Sequence, residues 1–232
     1  MAETPSLHQI NNKSLRERVL DSLREAILSG ELRPGQALVE TDLASQMGVS
    51  RAPLREAIQT LNTEGFVSTV PYHGTTVTRL TKVDIEELYS LRGALESFAM
   101  QRIFQQGVAA ESAVPLRQIY ERLVEAASRE SWRDLNVIDR EFHDKLIELS
   151  GHRLLASTWY TVHMRVQQVM SLHNLNNRSI TQVAENHRPI LETMEKGALD
   201  EALEILHLHI ASTGDLIAEG WLEDDEETMG DS

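Results

Sequence analysis

The stretch Gly48-Val49-Ser50-Arg51-Ala52-Pro53-Leu54-Arg55-Glu56-Ala57 decides how the first third of the chain reads. Ser50 is a natural N-cap. Pro53 falls in the first turn that follows, where a missing N–H costs nothing. Leu54, Ile58 and Leu61 recur at helical spacing and predict a buried stripe. A helix is therefore expected from Ser50 to about Glu64, stopped by Gly65. Arg51 and Arg55 are four apart and share one face of it. A helix start offers unbonded N–H groups and a positive dipole end to a phosphate. An arginine can meet guanine O6 and N7 with two hydrogen bonds.

Upstream, Gly48 ends a short helix expected over 40–47. Before that lies the turn Leu32-Arg33-Pro34-Gly35, in which Pro presets φ and Gly supplies a positive φ. Leu15, Val19, Leu23 and Ile27 then predict a first helix, with Ser14 as cap and Gly30 as stop. Downstream, Phe66–Val70 and Thr75–Thr78 are β-prone and flank Pro71-Tyr72-His73-Gly74, which reads as a hairpin. Short helix, turn, capped helix and hairpin make a winged helix-turn-helix. Its wing tip, His73-Gly74, is placed to approach a groove or the backbone of DNA. The plainer reading of the arginine pair is a solvated helix face.

After Thr81 only helical patterns occur, expected at 82–106, 113–129, 132–149, 152–173, 180–196 and 200–219. Gly107, Gly151, Gly197 and the Asn-rich 174–177 loop punctuate them, and Ser131, Ser179 and Asp200 are expected caps. The fold class is mostly α: an N-terminal winged helix-turn-helix plus a C-terminal all-α antiparallel helical bundle. The expected division is 1–12 without structure, 13–80 winged helix, 81–220 bundle and 221–232 an acidic tail without structure.

Charge follows that division. The formal charge of the 232 residues is −14, which alone argues against a phosphate partner. Residues 1–82, however, hold nine basic and nine acidic residues, so the whole excess lies beyond them, and seven of the acids fall in the last 14 residues. Acidity therefore marks the part of the chain that does not touch a nucleic acid. The absence of cysteine excludes disulfides, thiolate metal sites and thiol nucleophiles. No apolar run spans a membrane and no secretory signal opens the chain, so a cytoplasmic location is expected. For the same reason the sequon Asn177-Arg178-Ser179 is discounted.

The bundle carries a second constellation. Asp139 and His143 stand at i, i+4, beside the Leu135, Ile138 and Phe142 stripe. His187 lies between Val183 and Ile190, and His209 between Leu206 and Ile210, so both fall on apolar faces. Three imidazoles and a carboxylate can hold a first-row divalent metal. Buried histidines hydrogen-bonded within a core are the alternative, and His152, His163, His173 and His207 receive that reading. Pro189, two residues after His187, predicts a kink in the 180–196 helix.

The run Ile27-Leu28-Ser29-Gly30-Glu31-Leu32-Arg33-Pro34-Gly35, then Leu38, Glu40, Leu43-Ala44, the Gly48–Ala57 stretch, Leu61, Glu64-Gly65, Gly74 and Val77 resembles the GntR family of bacterial transcription regulators. In the bundle, Asp139-Arg140-Glu141-Phe142-His143, Glu185-Asn186-His187, Asp200-Glu201-Ala202 and His209-Ile210 resemble the FadR-type C-terminal domain, FCD, in its metal-binding form and nearer its VanR-like branch. The resemblance implies a homodimer on a double-stranded palindromic operator. It implies Arg51 and Arg55 reading bases, Ser50, Thr41 and Ala52 at the DNA surface, and His73 and Gly74 as the wing contact. It further implies Asp139, His143, His187 and His209 on a divalent metal, zinc first, with nickel, manganese and iron as alternatives. By the same resemblance the metal is expected to anchor a small organic acid effector, with Arg92 as a candidate partner for its carboxylate. An ion pair of Arg92 with Glu96 at i+4 is the plainer role. A regulator, in the sense of a repressor, is the expected function. A metal-dependent enzyme and a regulator sensing the metal itself are the rivals.

Overall fold

The computed structural model describes the backbone of residues 13–173 and 179–228, and the side chains of 13–170 and 179–219. The expectations for 1–12 and the 174–177 loop, and the side chain of His173, lie outside the described residues. The chain divides into two compact units between Thr78 and Arg79.

The first unit holds α1 (Leu15–Leu28), α2 (Glu40–Gln46), α3 (Arg51–Glu64), β1 (Val67–Val70) and β2 (Gly74–Val77). A capping box starts α1: the Glu17 N–H donates to Ser14 Oγ, and the Ser14 N–H donates to the Glu17 carboxylate. Val19, Leu23 and Ile27 on α1 are buried, as are Leu54, Ile58 and Leu61 on α3. Arg24 forks onto Glu64 through Nε at 3.0 Å and Nη2 at 2.6 Å, which ties the two helices together. Gly65 closes α3 in the left-handed conformation, and fully buried Phe66 leads into β1. The hairpin is antiparallel, registering Val67 with Val77 and Val70 with Gly74, and Ala37 bridges to Thr76 along its other edge. Ser50 occupies the N-cap of α3, but its hydroxyl makes no capping hydrogen bond, contrary to expectation.

The second unit is all helical: α4 (Lys82–Gln105), α5 (Ala109–Ser128), α6 (Trp132–Leu149), α7 (Arg153–His173), α8 (Ile180–Glu185), α9 (Arg188–Lys196) and α10 (Leu199–Thr228). A single core of apolar side chains joins them, with Phe142, Leu135, Met100 and Leu116 at its centre. Helix α10 packs along α4, where a Cβ on Gly214 would lie 2.9 Å from the Tyr89 ring, so only glycine allows that approach. Helix α5 packs on α6, α8 and α9.

Four details differ from expectation. The 180–196 segment is two helices rather than one kinked helix. Pro189 has no N–H for the Glu185 carbonyl and its ring would strike that carbonyl, so α8 ends and α9 begins afresh with the proline in its first turn. Helix α5 starts at Ala109, one turn early, because Ala109 and Ser112 are buried there, and it carries Pro115 inside. Asp200 lies in the first turn of α10 rather than at its cap, where a carboxylate still suits the dipole. Helix α10 also runs to Thr228, through much of the acidic stretch expected to lack structure, since leucine and glutamate extend a helix already anchored by packing. Among the described residues no helix is long and apolar enough to cross a membrane.

Candidate metal centre and nucleic-acid interface

Three elements bring the metal candidates together. Helix α6 projects Asp139 and His143 from one face. The α8–α9 junction supplies His187, and α10 supplies His209. The break at Pro189 thus places His187 at the start of α9, with its ring completely buried. His143, His187 and His209 each offer a ligand atom within 4.8 Å of the others. His143 Nε2 faces His209 Nε2 at 3.4 Å, and His187 Nε2 faces Asp139 Oδ1 at 3.2 Å. Two donors on adjacent tetrahedral positions of a zinc ion stand about 3.3 Å apart, so both spacings suit a shared cation.

Hydrogen bonds set the tautomers. His143 Nδ1 meets Glu96 Oε2 at 2.6 Å, and His187 Nδ1 meets the Val183 carbonyl at 3.1 Å. Each Nδ1–H donates, which leaves each Nε2 lone pair pointing inward, as metal-bound imidazoles require. His187 Nε2 is buried with no hydrogen-bond partner among the described residues; the nearby Asp139 oxygen is close but poorly aligned. That orphaned nitrogen, with a donor set of nitrogen and carboxylate oxygen, fits a first-row divalent ion.

The charges support the same arrangement. Burial pushes the pKa of His143 down despite its bond to Glu96. Burial, together with His187 and His143, holds His209 well below the ordinary imidazole value. Both rings are therefore neutral near pH 7. Burial works against ionised Asp139, but His187, His143 and Arg92 outweigh it and keep its carboxyl far below the usual range. Arg92 donates from Nε to Glu96 Oε1 at 2.7 Å in the core, and lies over the Tyr89 ring. Burial opposes its charge, yet Glu96, Tyr89 and Asp139 keep the guanidinium protonated. Beside these groups is a small, partly open recess lined by Arg92, Asp139, Met170, Val183, Asn186, His209 and Thr213.

The expected pair of Arg92 with Glu96 is thus present, and Arg92 also lines the cavity. Glu96 itself was missed as a partner of His143, 47 residues away. The other histidines fall as follows. His163 Nδ1 lies 2.9 Å from Asp144, which also accepts from Trp159 Nε1 at 2.6 Å. His152 Nδ1 accepts the Leu155 N–H at the start of α7. His207 is exposed.

In the first unit, Arg51, Ala52 and Arg55 are exposed on the first turns of α3, and Ser50 is exposed just before them. Arg51 Nη2 and Arg55 Nε both donate to one oxygen, Glu40 Oε2, at 2.8 and 2.7 Å. Those two hydrogen bonds, with burial opposing, hold the Glu40 carboxyl below its ordinary value. Thr41 is exposed on α2 and donates to Asp42. His73 and Gly74 are exposed at the wing tip, next to Tyr72, which is fully exposed with φ at 67°. Nothing in the local pattern announced the Glu40 clamp, because an acid 11 and 15 residues before two arginines has no helical relation to them.

Comparison with known proteins gives the family. Residues 15–77 match the bacterial regulatory proteins of the gntR family, and residues 87–212 match the FCD domain. The chain is similar to an HTH-type transcriptional regulator from an unstable DNA locus of Streptomyces ambofaciens, 30% identical over 89% of this chain and 86% of that protein. It is also similar to a probable D-xylose utilisation operon transcriptional repressor of Paenarthrobacter nicotinovorans, 26% identical over 88% and 89%. The solved structure of E. coli McbR/YncC shares the fold with a TM-score of 0.74 at 20% identity, over 90% of this chain and all of that one. The family and these relatives are transcriptional regulators, not enzymes.

Proposed function

Because the chain belongs to the gntR family of bacterial regulatory proteins and carries an FCD domain, so that it is a DNA-binding transcriptional regulator, we propose that its operator affinity answers to a small carboxylate held at a metal in the second unit. Repressor names among its relatives favour repression. The observation that carries the reading is the set Asp139, His143, His187 and His209 converging beside Arg92 at one cavity.

Metal ligation needs neutral imidazoles. With the three rings neutral, Arg92 and Glu96 cancel and Asp139 leaves the centre at −1. A divalent ion supplies two positive charges and open coordination positions. The centre then stands at +1, which favours a monoanion over a neutral ligand. Asp139 and the three Nε2 atoms hold the ion. Glu96 and the Val183 carbonyl fix the ring orientations. Arg92, anchored by Glu96, turns its charge toward the cavity and orients a carboxylate. Asn186 and Thr213 line the same recess and offer hydrogen bonds to the rest of the ligand.

On the DNA side, Arg51 and Arg55 read base edges and Ser50 and Thr41 meet phosphates. Ala52 packs at the groove surface, and His73 with Gly74 contacts DNA from the wing. A homodimer places two such readers on a palindrome. Effector and DNA favour different arrangements of the dimer, and that difference in affinity is the coupling. Metal analysis of the purified protein and of His143→Ala tests the centre. One bound equivalent in the first and loss in the second is expected; equal content in both would contradict it.

A further inference from the structure

Glu40 is the first residue of α2, and among the described residues its carboxylate is the one acid that meets both arginines of the reading helix. The three side chains form a fork on a single atom, Glu40 Oε2. We propose that Glu40 is a specificity-determining positioning residue, which aims Arg51 and Arg55 and cancels one of their two charges. This rests on the DNA-reading role of α3 given above.

The clamp leaves both arginines with donors to spare. Arg55 gives its Nε–H to Glu40 and keeps both terminal nitrogens, the pair that meets guanine O6 and N7 end-on. Arg51 gives one Nη2–H to Glu40 and keeps its other four N–H groups. Fixing both side chains before binding removes rotamer freedom that would otherwise be lost on the DNA. It also places a carboxylate beside the phosphate path, which penalises any complex held by charge alone. A base contact keeps its energy, whereas a bare phosphate contact loses part of its own.

The clamp is too exposed to be scaffold. The Arg51 and Arg55 side chains are 52% and 59% exposed, and surface ion pairs contribute little to folding. The Glu40 carboxyl, held below its ordinary value by the two arginines, stays ionised throughout the neutral range. Its effect therefore falls on recognition rather than on stability.

The test uses the full chain, the tightest 20-base-pair duplex that the wild type selects from a random pool, and a scrambled duplex of the same composition. Binding is followed by fluorescence anisotropy over a KCl series. For Glu40→Gln, the scrambled duplex is expected to bind several-fold tighter, and the selected-to-scrambled ratio to fall about tenfold. The salt slope on the scrambled duplex should steepen by about 0.9 per bound protomer, one more released counterion. Glu40→Asp, which keeps the charge but shortens the reach, should retain the wild-type slope and lose discrimination. Should Glu40→Gln melt early, Glu40→Asp carries the test through its ratio. An unchanged ratio and slope, or an equal loss of affinity for both duplexes, overturns the proposal. A wild type that enriches no sequence overturns the DNA reading with it.

Discussion

The molecule holds the same chemical pair, arginine and glutamate, in two settings. On α2 and α3, Glu40 takes Arg51 and Arg55 at a solvent-facing edge. In the core of the bundle, Glu96 takes Arg92 and His143, with side-chain exposures of 0%, 4% and 2% in that order. The partners and distances are alike, but the surroundings are not. Water solvates the first cluster as well as its partners do, so its members can part at little cost in free energy. The second cluster has no water to return to. Each member is committed, and removing one leaves a buried charge without a counter-charge.

The sharpest way to test this contrast is Glu96→Ala. It strands Arg92 and frees the His143 ring, so a loss of about 3–5 kcal/mol in urea unfolding is expected, together with a drop of about 10- to 100-fold in metal affinity. A loss under 1 kcal/mol would show that water enters the site. Acidity comes next. His143 and His209 are held below the imidazole value of the unfolded chain, so the unfolded state binds more protons between the two values. Stability of the metal-free protein is then complete above about pH 6.5 and falls as pH drops toward the depressed folded values. The slope is about 1.4 kcal/mol per pH unit for each such ring. A melting temperature flat between pH 7 and 5.5 would contradict it, and His209→Gln should reduce the slope.

Two smaller effects belong to the first unit. Tyr72 sits third in the Val70–His73 turn, after Pro71, with φ at 67°, where glycine is favoured. With its side chain fully exposed, Tyr72→Gly should stabilise by about 0.5–1 kcal/mol in denaturant unfolding. A destabilisation would mean that the ring packs in solution. Glu40→Gln should move unfolding by less than about 0.5 kcal/mol. A loss matching that of Glu96→Ala would erase the contrast between the two clusters.

How much of this was legible in the sequence follows the range of each interaction. The Val19, Leu23, Ile27 stripe, the Ser14 box and the Arg51–Arg55 face are set within a few residues, and their periods announce them. Asp139 and His143 share a face for the same reason. Pro189 announced a disturbance but not its form, because whether a helix bends or restarts depends on what the flanking turns pack against. Here the restart carries His187 into the core. The early start of α5 depends likewise on the burial of Ala109. Glu96 with His143, Glu40 with its arginines, and Asp144 with His163 and Trp159 are tertiary pairs between different elements. No local period encodes them, and the first two hold the groups proposed to orient a metal ligand and to aim the reading arginines.

Control of the exposed reader by the buried centre, through a metal-held carboxylate, is the proposal. It is tested most directly by anisotropy of the selected duplex with full-length protein, titrated with a panel of three- to six-carbon carboxylates, with zinc, with chelator, and in His143→Ala. At least one acid is expected to shift duplex affinity by about 5- to 150-fold when zinc is present, and chelator and His143→Ala are both expected to abolish the shift. A shift of the same size without metal and in His143→Ala would contradict it.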